Sequence, residues 1–192
     1  LTIKLIGNNF VDDTLSDKYA YSCGIFVNGK MTITGDGSLT TSGGSGVDGK
    51  GSYGIMAGGL TVNNGTITAI GKTAKESYGI GQSKNIIVNG GTITATGAVS
   101  TVYGSCGIQC SGNFTMTGGR VTAKSEGVKQ PGSQSCGISS GASIYYNAGV
   151  LVAEGQTKAM YSSQSTYPNG YTKGDKTFRT YDIAESNMYT VS

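Results

Sequence analysis

The chain has 192 residues, among them 33 Gly, 2 Pro and 4 Cys but no His or Trp, and its 14 Lys and Arg against 11 Asp and Glu leave a net charge of +3. Charged residues are 13% of the chain, about half the usual quarter, which argues against polyelectrolyte disorder; the small positive balance supplies no footprint for nucleic acid or a membrane surface. Without His there is no Ser-His-Asp or Cys-His nucleophile, no His-ligated metal and no imidazole acid–base chemistry.

No phosphate loop of the form G-x-x-x-x-G-K-[ST] occurs, and the apolar runs are only a few residues long, too short to span a bilayer. The chain opens inside a strand-like pattern, with Ile3 and Leu5 expected to point inward as a first coil enters. It therefore reads as a piece of a longer protein or its processed form, with no signal peptide to read. Asn8, Asn9, Asp12, Asp13 and Asp17 follow in an early insertion. They are hard oxygen donors of the kind calcium prefers, but their spacing matches no calcium loop and suits turn chemistry.

A repeat then sets in. Ser-(Cys/Tyr)-Gly-Ile begins at Ser22, Ser52, Ser77, Ser105 and Ser135, with spacings of 30, 25, 28 and 30 residues. A second phrase follows each copy: Met31-Thr32-Ile33, Leu60-Thr61-Val62, Ile86-Ile87-Val88, Phe114-Thr115-Met116 and Ile144-Tyr145-Tyr146. A third closes the unit: Leu39-Thr40-Thr41, Ile67-Thr68-Ala69, Ile93-Thr94-Ala95, Val121-Thr122-Ala123 and Leu151-Val152-Ala153. Each phrase alternates apolar with polar or small residues and is rich in β-branched side chains, while the intervening Gly would break a helix.

Short strands recurring in one order predict an all-β, right-handed parallel β-helix with three short strands per coil and about six coils, a rod of roughly 30 Å at ~4.8 Å per coil. The predicted core is three columns: Ile25, Ile55, Ile80, Ile108 and Ile138; Ile33, Val62, Val88 and Met116; Leu39, Ile67, Ile93, Val121 and Leu151. Residues 1–155 form the repeats and residues 156–192 a Tyr-rich cap of the same domain. Seven of the 12 Tyr lie from Tyr145 onward. Tyr145, Tyr146, Tyr161 and the Tyr181-Asp182-Ile183 segment are the expected cover, with Tyr167-Pro168-Asn169-Gly170 as a turn.

Cys23, Cys106 and Cys136 share one repeat position with Tyr53 and Tyr78. Cys106 and Cys136 fall on neighbouring coils and could reach disulfide distance; the preferred reading is a column of reduced, inward thiols acting as small hydrophobes. A Thr-x-Thr ladder (Thr66 and Thr68, Thr92 and Thr94, after Ser38 and Thr40) resembles the surface of ice-binding β-helices, but Arg120, Val150 and Val152 interrupt it, and β-propensity alone accounts for it.

Length variation is confined to the third turn, which has 10, 7, 9 and 11 residues in successive coils. Variable loops on a fixed scaffold commonly carry binding. This edge holds Lys50, Lys72, Lys75, Lys124 and Lys129 with Tyr103. Lys72, Lys75, Tyr103, Lys124 and Lys129 are the candidate ligand-binding residues: ammonium groups for carboxylated sugars and a flat ring for a sugar face. The same lysines would also keep a weakly charged rod soluble, with Asp48, Glu76 and Glu126 diluting their field.

The repeated Gly-Thr-Ile-Thr-Ala (65–69 and 91–95), the (Tyr/Cys)-Gly-Ile phrase and Met-Thr-Ile-Thr-Gly-Asp-Gly-Ser-Leu (31–39) resemble the β-helix repeats of secreted and wall-attached proteins of Gram-positive, often gut-dwelling, clostridial bacteria. The resemblance covers roughly residues 1–155. It implies a carbohydrate-binding or cell-adhesion module, extracellular or attached to the cell wall, whose partner is a polysaccharide or glycan, including acidic ones. Pectate-lyase-like relatives bind cellulose and acidic polysaccharide and carry calcium. The shared motifs lie on scaffold strands and bring no ligand or calcium residues with them.

Catalytic cousins with this architecture use clustered Asp, or calcium with an Arg or Lys base; here the acids are scattered and only Arg120 and Arg179 are present. The expectation is therefore a non-enzyme with no catalytic residue, metal or cofactor. A structural spacer of a larger surface protein is the alternative, and a polysaccharide lyase or hydrolase a more distant one.

Overall fold

The three phrases of each repeat become three strands, and equivalent strands of successive coils pair in parallel. The computed structural model describes residues 1–13, 21–45 and 51–180. Asp17, Asp48, Lys50 and the Tyr181-Asp182-Ile183 segment lie outside the described residues.

An entering coil contributes β1 (Thr2–Leu5) and β2 (Asn8–Asp12). Five full turns follow: β3 (Tyr21–Gly35) and β4 (Ser38–Ser42); β5 (Gly51–Val62) and β6 (Thr66–Gly71); β7 (Ala74–Ser83), β8 (Ile86–Val88) and β9 (Thr92–Gly97); β10 (Ser100–Cys110), β11 (Phe114–Met116) and β12 (Arg120–Ser125); β13 (Gln134–Ser140), β14 (Ile144–Tyr146) and β15 (Val150–Glu154). The chain closes with β16 (Lys158–Ser162) and β17 (Thr177–Arg179). The described residues contain no helix, and hence none long and apolar enough to cross a membrane. The fold is a parallel β-solenoid.

First- and second-phrase strands belong to one ten-stranded sheet, because in the first two full coils both phrases run through a single long strand, β3 or β5. A register shift between Val27 and Lys30 bends that strand where a turn was expected. Third-phrase strands form a seven-stranded sheet. At the turn between the second and third phrases, Gly35, Gly65, Gly91, Gly119 and Gly149 all have φ between 79° and 97°, a left-handed conformation that side chains oppose.

The predicted columns pair residue for residue. Ile25, Ile55, Ile80, Ile108 and Ile138 are successive register partners, and Met160 of β16 extends them. Ile3, Ile33, Val62, Val88, Met116 and Tyr146 form a second column, and Leu39, Ile67, Ile93, Val121 and Leu151 a third. A fourth, Met31, Leu60, Ile86, Phe114 and Ile144, fills the remaining side of the interior. From Ile55 onward the aliphatic members of all four columns are at most 1% exposed. Burying each contributes roughly 2–3 kcal/mol by transfer.

The C-terminal cover differs from the expected one. Lys158–Ser162 prolongs the first-phrase ladder, and β17 turns back antiparallel on β15 with Phe178 opposite Ala153. The Tyr167 and Tyr171 rings pack at 4.8 Å, and Tyr171 meets Phe178 edge-on at 5.8 Å. The Tyr171 hydroxyl donates to the Met160 carbonyl at 2.7 Å, and the Ser162 amide donates to the Tyr167 hydroxyl at 3.1 Å. These phenols bond backbone groups of the last parallel strand, as its next neighbour would have done. Tyr145 is exposed and Tyr161 lies half-buried under the Lys158 ammonium, so neither provides this cover.

Candidate functional site

Fixed and variable parts of the repeat meet at the serine that opens each first phrase. Ser22, Ser52, Ser77, Ser105 and Ser135 stack in register and are buried. Ser52 Oγ accepts the Lys72 amide at 2.8 Å, Ser105 Oγ donates to the Gly97 carbonyl at 3.0 Å, and Ser135 Oγ accepts the Gln156 amide at 3.0 Å. Each ties a third turn to the scaffold. The repetition of Ser was visible in the sequence; its role was not, because the partners are backbone groups.

The third turn of the third full coil, which leads into β10, carries an exposed candidate, Tyr103. Ser100 pairs with Ala74 and Gly104 with Glu76, so Thr101, Val102 and Tyr103 stand opposite Lys75 alone. The resulting bulge puts Tyr103 at 61% exposure. It is pinned: Ser100 Oγ donates to the Lys75 carbonyl at 2.6 Å and accepts the Gly104 amide at 3.1 Å, while Ser133 Oγ donates to the Val102 carbonyl at 2.7 Å. On the next coil Val128 bridges Ser100, and the Lys129 amide donates to the Ser100 carbonyl at 2.8 Å. Lys75, Thr101 and Lys129 thus follow one another on three consecutive coils beside Tyr103.

The other two candidates stand apart from this cluster. Lys72 reaches back to the entering coil, where its Nζ lies 3.0 Å from Asp12 Oδ1. A hydrogen bond from Ser42, then that from Lys72, holds the Asp12 carboxyl below the ordinary carboxylate range. Lys124 occupies the third-phrase sheet between Thr96 and Glu154 and is exposed there. The structure therefore brings Lys75, Tyr103 and Lys129 together and leaves Lys72 and Lys124 elsewhere.

A second surface was missed by sequence reasoning. Tyr21, Cys23, Phe26 and Met56, with Asp13 at the rim, line a groove of about 560 Å³. Phe26 is 61% and Tyr21 42% exposed. Ser22 Oγ donates to Asp13 Oδ2 at 2.6 Å, which fixes the carboxylate at the groove's edge. From Tyr21 a stack of rings climbs the rod, Tyr21 to Tyr53 at 5.9 Å and Tyr53 to Tyr78 at 5.4 Å. Tyr53 fits because its ring crosses two glycines: a Cβ on Gly51 or Gly81 would lie 2.7 or 2.6 Å from it.

The Tyr53 hydroxyl donates to Glu76 Oε1. Burial raises the Glu76 carboxyl above its ordinary value, and the Tyr53 hydrogen bond opposes part of that rise. Glu76 in turn lines a polar cavity of about 340 Å³ with Tyr78, Gln109 and Ser111. Groove, ring stack and polar cavity occupy successive coils of one sheet, with Tyr103 at its margin. Cys23, Tyr53 and Tyr78 share one repeat position, but Phe26, Met56, Glu76 and Gln109, which complete the groove and the polar cavity, follow no repeat and gave no sequence signal.

Cys106 and Cys136 are buried and Cys23 is half-buried; of the cysteines only Cys110 packs into the contiguous aliphatic cluster. All four thiols are free. Among the described residues, no three His, Cys, Asp or Glu side chains are grouped to hold a metal ion. On the third-phrase sheet Thr40, Thr68, Thr94 and Thr122 are successive register partners, ending at Val152. No family model matches the chain, nor does any curated protein or solved structure.

Proposed function

We propose that this chain is a non-catalytic glycan-binding or adhesion module of an extracellular or wall-attached protein, and that a polysaccharide lies along the outer side of the first-phrase strands. The observation that carries the reading is a set of exposed and half-buried rings, Tyr21 and Phe26 on the first full coil and Tyr78 and Tyr103 on the third and fourth, joined through the buried Tyr53 ring between them. From the first full coil to the fourth it spans roughly 14 Å at the usual strand spacing. Sugar rings present flat C–H faces that pack on aromatic rings, and their hydroxyls need fixed donors and acceptors between the contacts. Asp13, Glu76, Gln109 and Ser111 line the two cavities beside these rings. Lys75 and Lys129 flank Tyr103 and favour carboxylated sugars. The placement in a Gram-positive surface protein rests on the resemblance of the repeats alone.

Retention on immobilised polysaccharides tests this, with polygalacturonate as the acidic probe and cellulose as the neutral one. Phe26→Ala and Tyr103→Ala should each weaken capture about five- to tenfold, the loss of one aromatic contact. Lys129→Ala should weaken only acidic capture, and less so in high salt. Undiminished capture by both aromatic variants defeats this site. A chain that captures neither polymer is the structural spacer.

A further inference from the structure

Cys106 and Cys136 are register partners on adjacent parallel strands. Strand spacing of ~4.8 Å places their Cα atoms within the disulfide range of about 4.4–6.8 Å. The two thiols lie close enough for each to perturb the other's ionisation and are 2% and 0% exposed. No other pairing of the four has this geometry. Cys110 pairs with Ser83 and Ser140, and Cys23 pairs with Tyr53 and points its sulfur at Met56 Sδ, 3.6 Å away.

We propose that Cys106 and Cys136 are an oxidisable dithiol that closes to a disulfide between the fourth and fifth full coils, with a small-molecule disulfide as oxidant. The two residues of the pair are chemically unequal. The interaction with Cys106, then the Lys158 charge and the nearby Thr157 hydroxyl, hold the Cys136 thiol below its ordinary value against the effect of burial. The same interaction, then burial, pushes Cys106 well up. Cys136, which borders the terminal parallel strand at Lys158 while Cys106 lies one strand further in, is the attacking thiolate. It displaces one thiolate from the small disulfide and becomes a mixed disulfide. Cys106 then loses its proton, attacks the Cys136 sulfur and expels the second thiolate. Two electrons and two protons leave the protein, and one small disulfide becomes two small thiols. Burial, first, raises Cys23 to about 11 and Cys110 to about 12, which keeps both protonated while the pair reacts.

Cys136 is fully buried and its register partner on the terminal parallel strand is Lys158, so the oxidant reaches it when that end of the rod opens locally. The bond would close a loop of about 30 residues and restrict the unfolded chain accordingly. This inference does not depend on glycan binding, and its test involves no glycan.

The full chain is incubated with oxidised glutathione, free thiols are then alkylated under denaturing conditions, and non-reduced peptides are mapped by mass spectrometry. The expected product has lost two hydrogens and joins the Cys106 peptide to the Cys136 peptide, with Cys23 and Cys110 alkylated. Cys110→Ser keeps the linked species and Cys106→Ser loses it. The oxidised chain should melt roughly 5–10 °C above the reduced one, a difference absent from Cys136→Ala. Four free thiols after oxidation, a link through Cys23 or Cys110, or an unchanged melting temperature in the linked chain would each overturn the proposal.

Discussion

A Cβ placed on Gly107 would lie 2.3 Å from the amide nitrogen of Lys124 and 2.6 Å from the carbonyl oxygen of Ala95. The first-phrase strand of this coil thus touches the backbone of two third-phrase strands with nothing between them. Gly54, Gly79 and Gly137 make the same close approach, to within 2.4–2.5 Å of Ile70, Thr96 and Glu154 nitrogens. Neighbouring backbone has no rotamer with which to yield. Gly107→Ala should therefore destabilise the chain by about 3 kcal/mol, a melting-temperature drop of roughly 6–12 °C. Gly29→Ala is the control, since nothing lies within 4 Å of its Cβ position. It should move the midpoint by less than about 2 °C. Equal effects at the two positions would mean that the close approach carries no energetic weight.

This contact shows what periodicity makes legible. Gly-Ile recurs because the Gly lets the two sheets touch and the Ile next to it fills the interior, and both demands repeat in every coil. The aliphatic columns, the parallel stacking and the variable edge could all be read from those recurrences. Features that occur once could not. The Tyr103 bulge depends on three residues standing opposite Lys75 alone, and a loop-length count does not reveal it. Lys72 was grouped with Lys75 because both fall in a variable third turn, yet its carboxylate partner, Asp12, lies 60 residues away. Phe26 and Met56 are paired outward residues in only two coils, so no repeat announces the groove they line.

The buried serines separate two energetic cases on one kind of side chain. Ser125 Oγ lies 2.8 Å from Ser105 Oγ and 2.7 Å from Ser135 Oγ, joining two coils through three hydroxyls. Ser77 has the same repeat position as Ser105, but its hydroxyl has no hydrogen-bond partner among the described residues. Ser125→Ala should cost about 1–2 kcal/mol, because it leaves buried hydroxyls short of a partner. Ser77→Ala should be neutral or stabilising by up to about 1 kcal/mol, because it removes a buried polar atom that gains nothing. Urea denaturation of both variants measures the contrast. A larger loss at Ser77 than at Ser125 contradicts it.

Glu76 gives stability a pH dependence whose sign is fixed by its surroundings. Burial raises its folded-state pKa above the unfolded value, with the Tyr53 hydrogen bond opposing part of the shift. The folded state thus favours the protonated acid. Its stabilising contribution is complete below the ordinary Glu value of ~4.3 and is lost as pH rises through the raised folded value. Glu76→Gln retains an oxygen to accept the Tyr53 hydroxyl and cannot ionise. Relative to the parent chain, the variant should gain stability as pH rises above about 4 and level off once the folded-state carboxyl has ionised. Urea midpoints measured across that range test it, and a variant whose midpoint tracks the parent's at every pH would show that Glu76 does not titrate differently on folding.

The capped end should be the first part of the rod to open, because one phenol does two jobs there. Tyr171 accepts from the Met160 amide at 3.4 Å while donating to its carbonyl, and its ring bridges Tyr167 and Phe178. Tyr171→Phe removes the hydroxyl but keeps the ring, and should cost about 1 kcal/mol. Tyr171→Ala removes both and should cost about 2 kcal/mol more by uncovering Phe178 and the end of the Ile138–Met160 column. In native-state hydrogen exchange the amides of β16 should lose protection in both variants, more in the second, while those of β9 in the middle of the rod keep theirs. Loss of protection that spreads evenly from β16 to β9 would instead mean that the solenoid opens as one cooperative unit and that the cap does not govern its end.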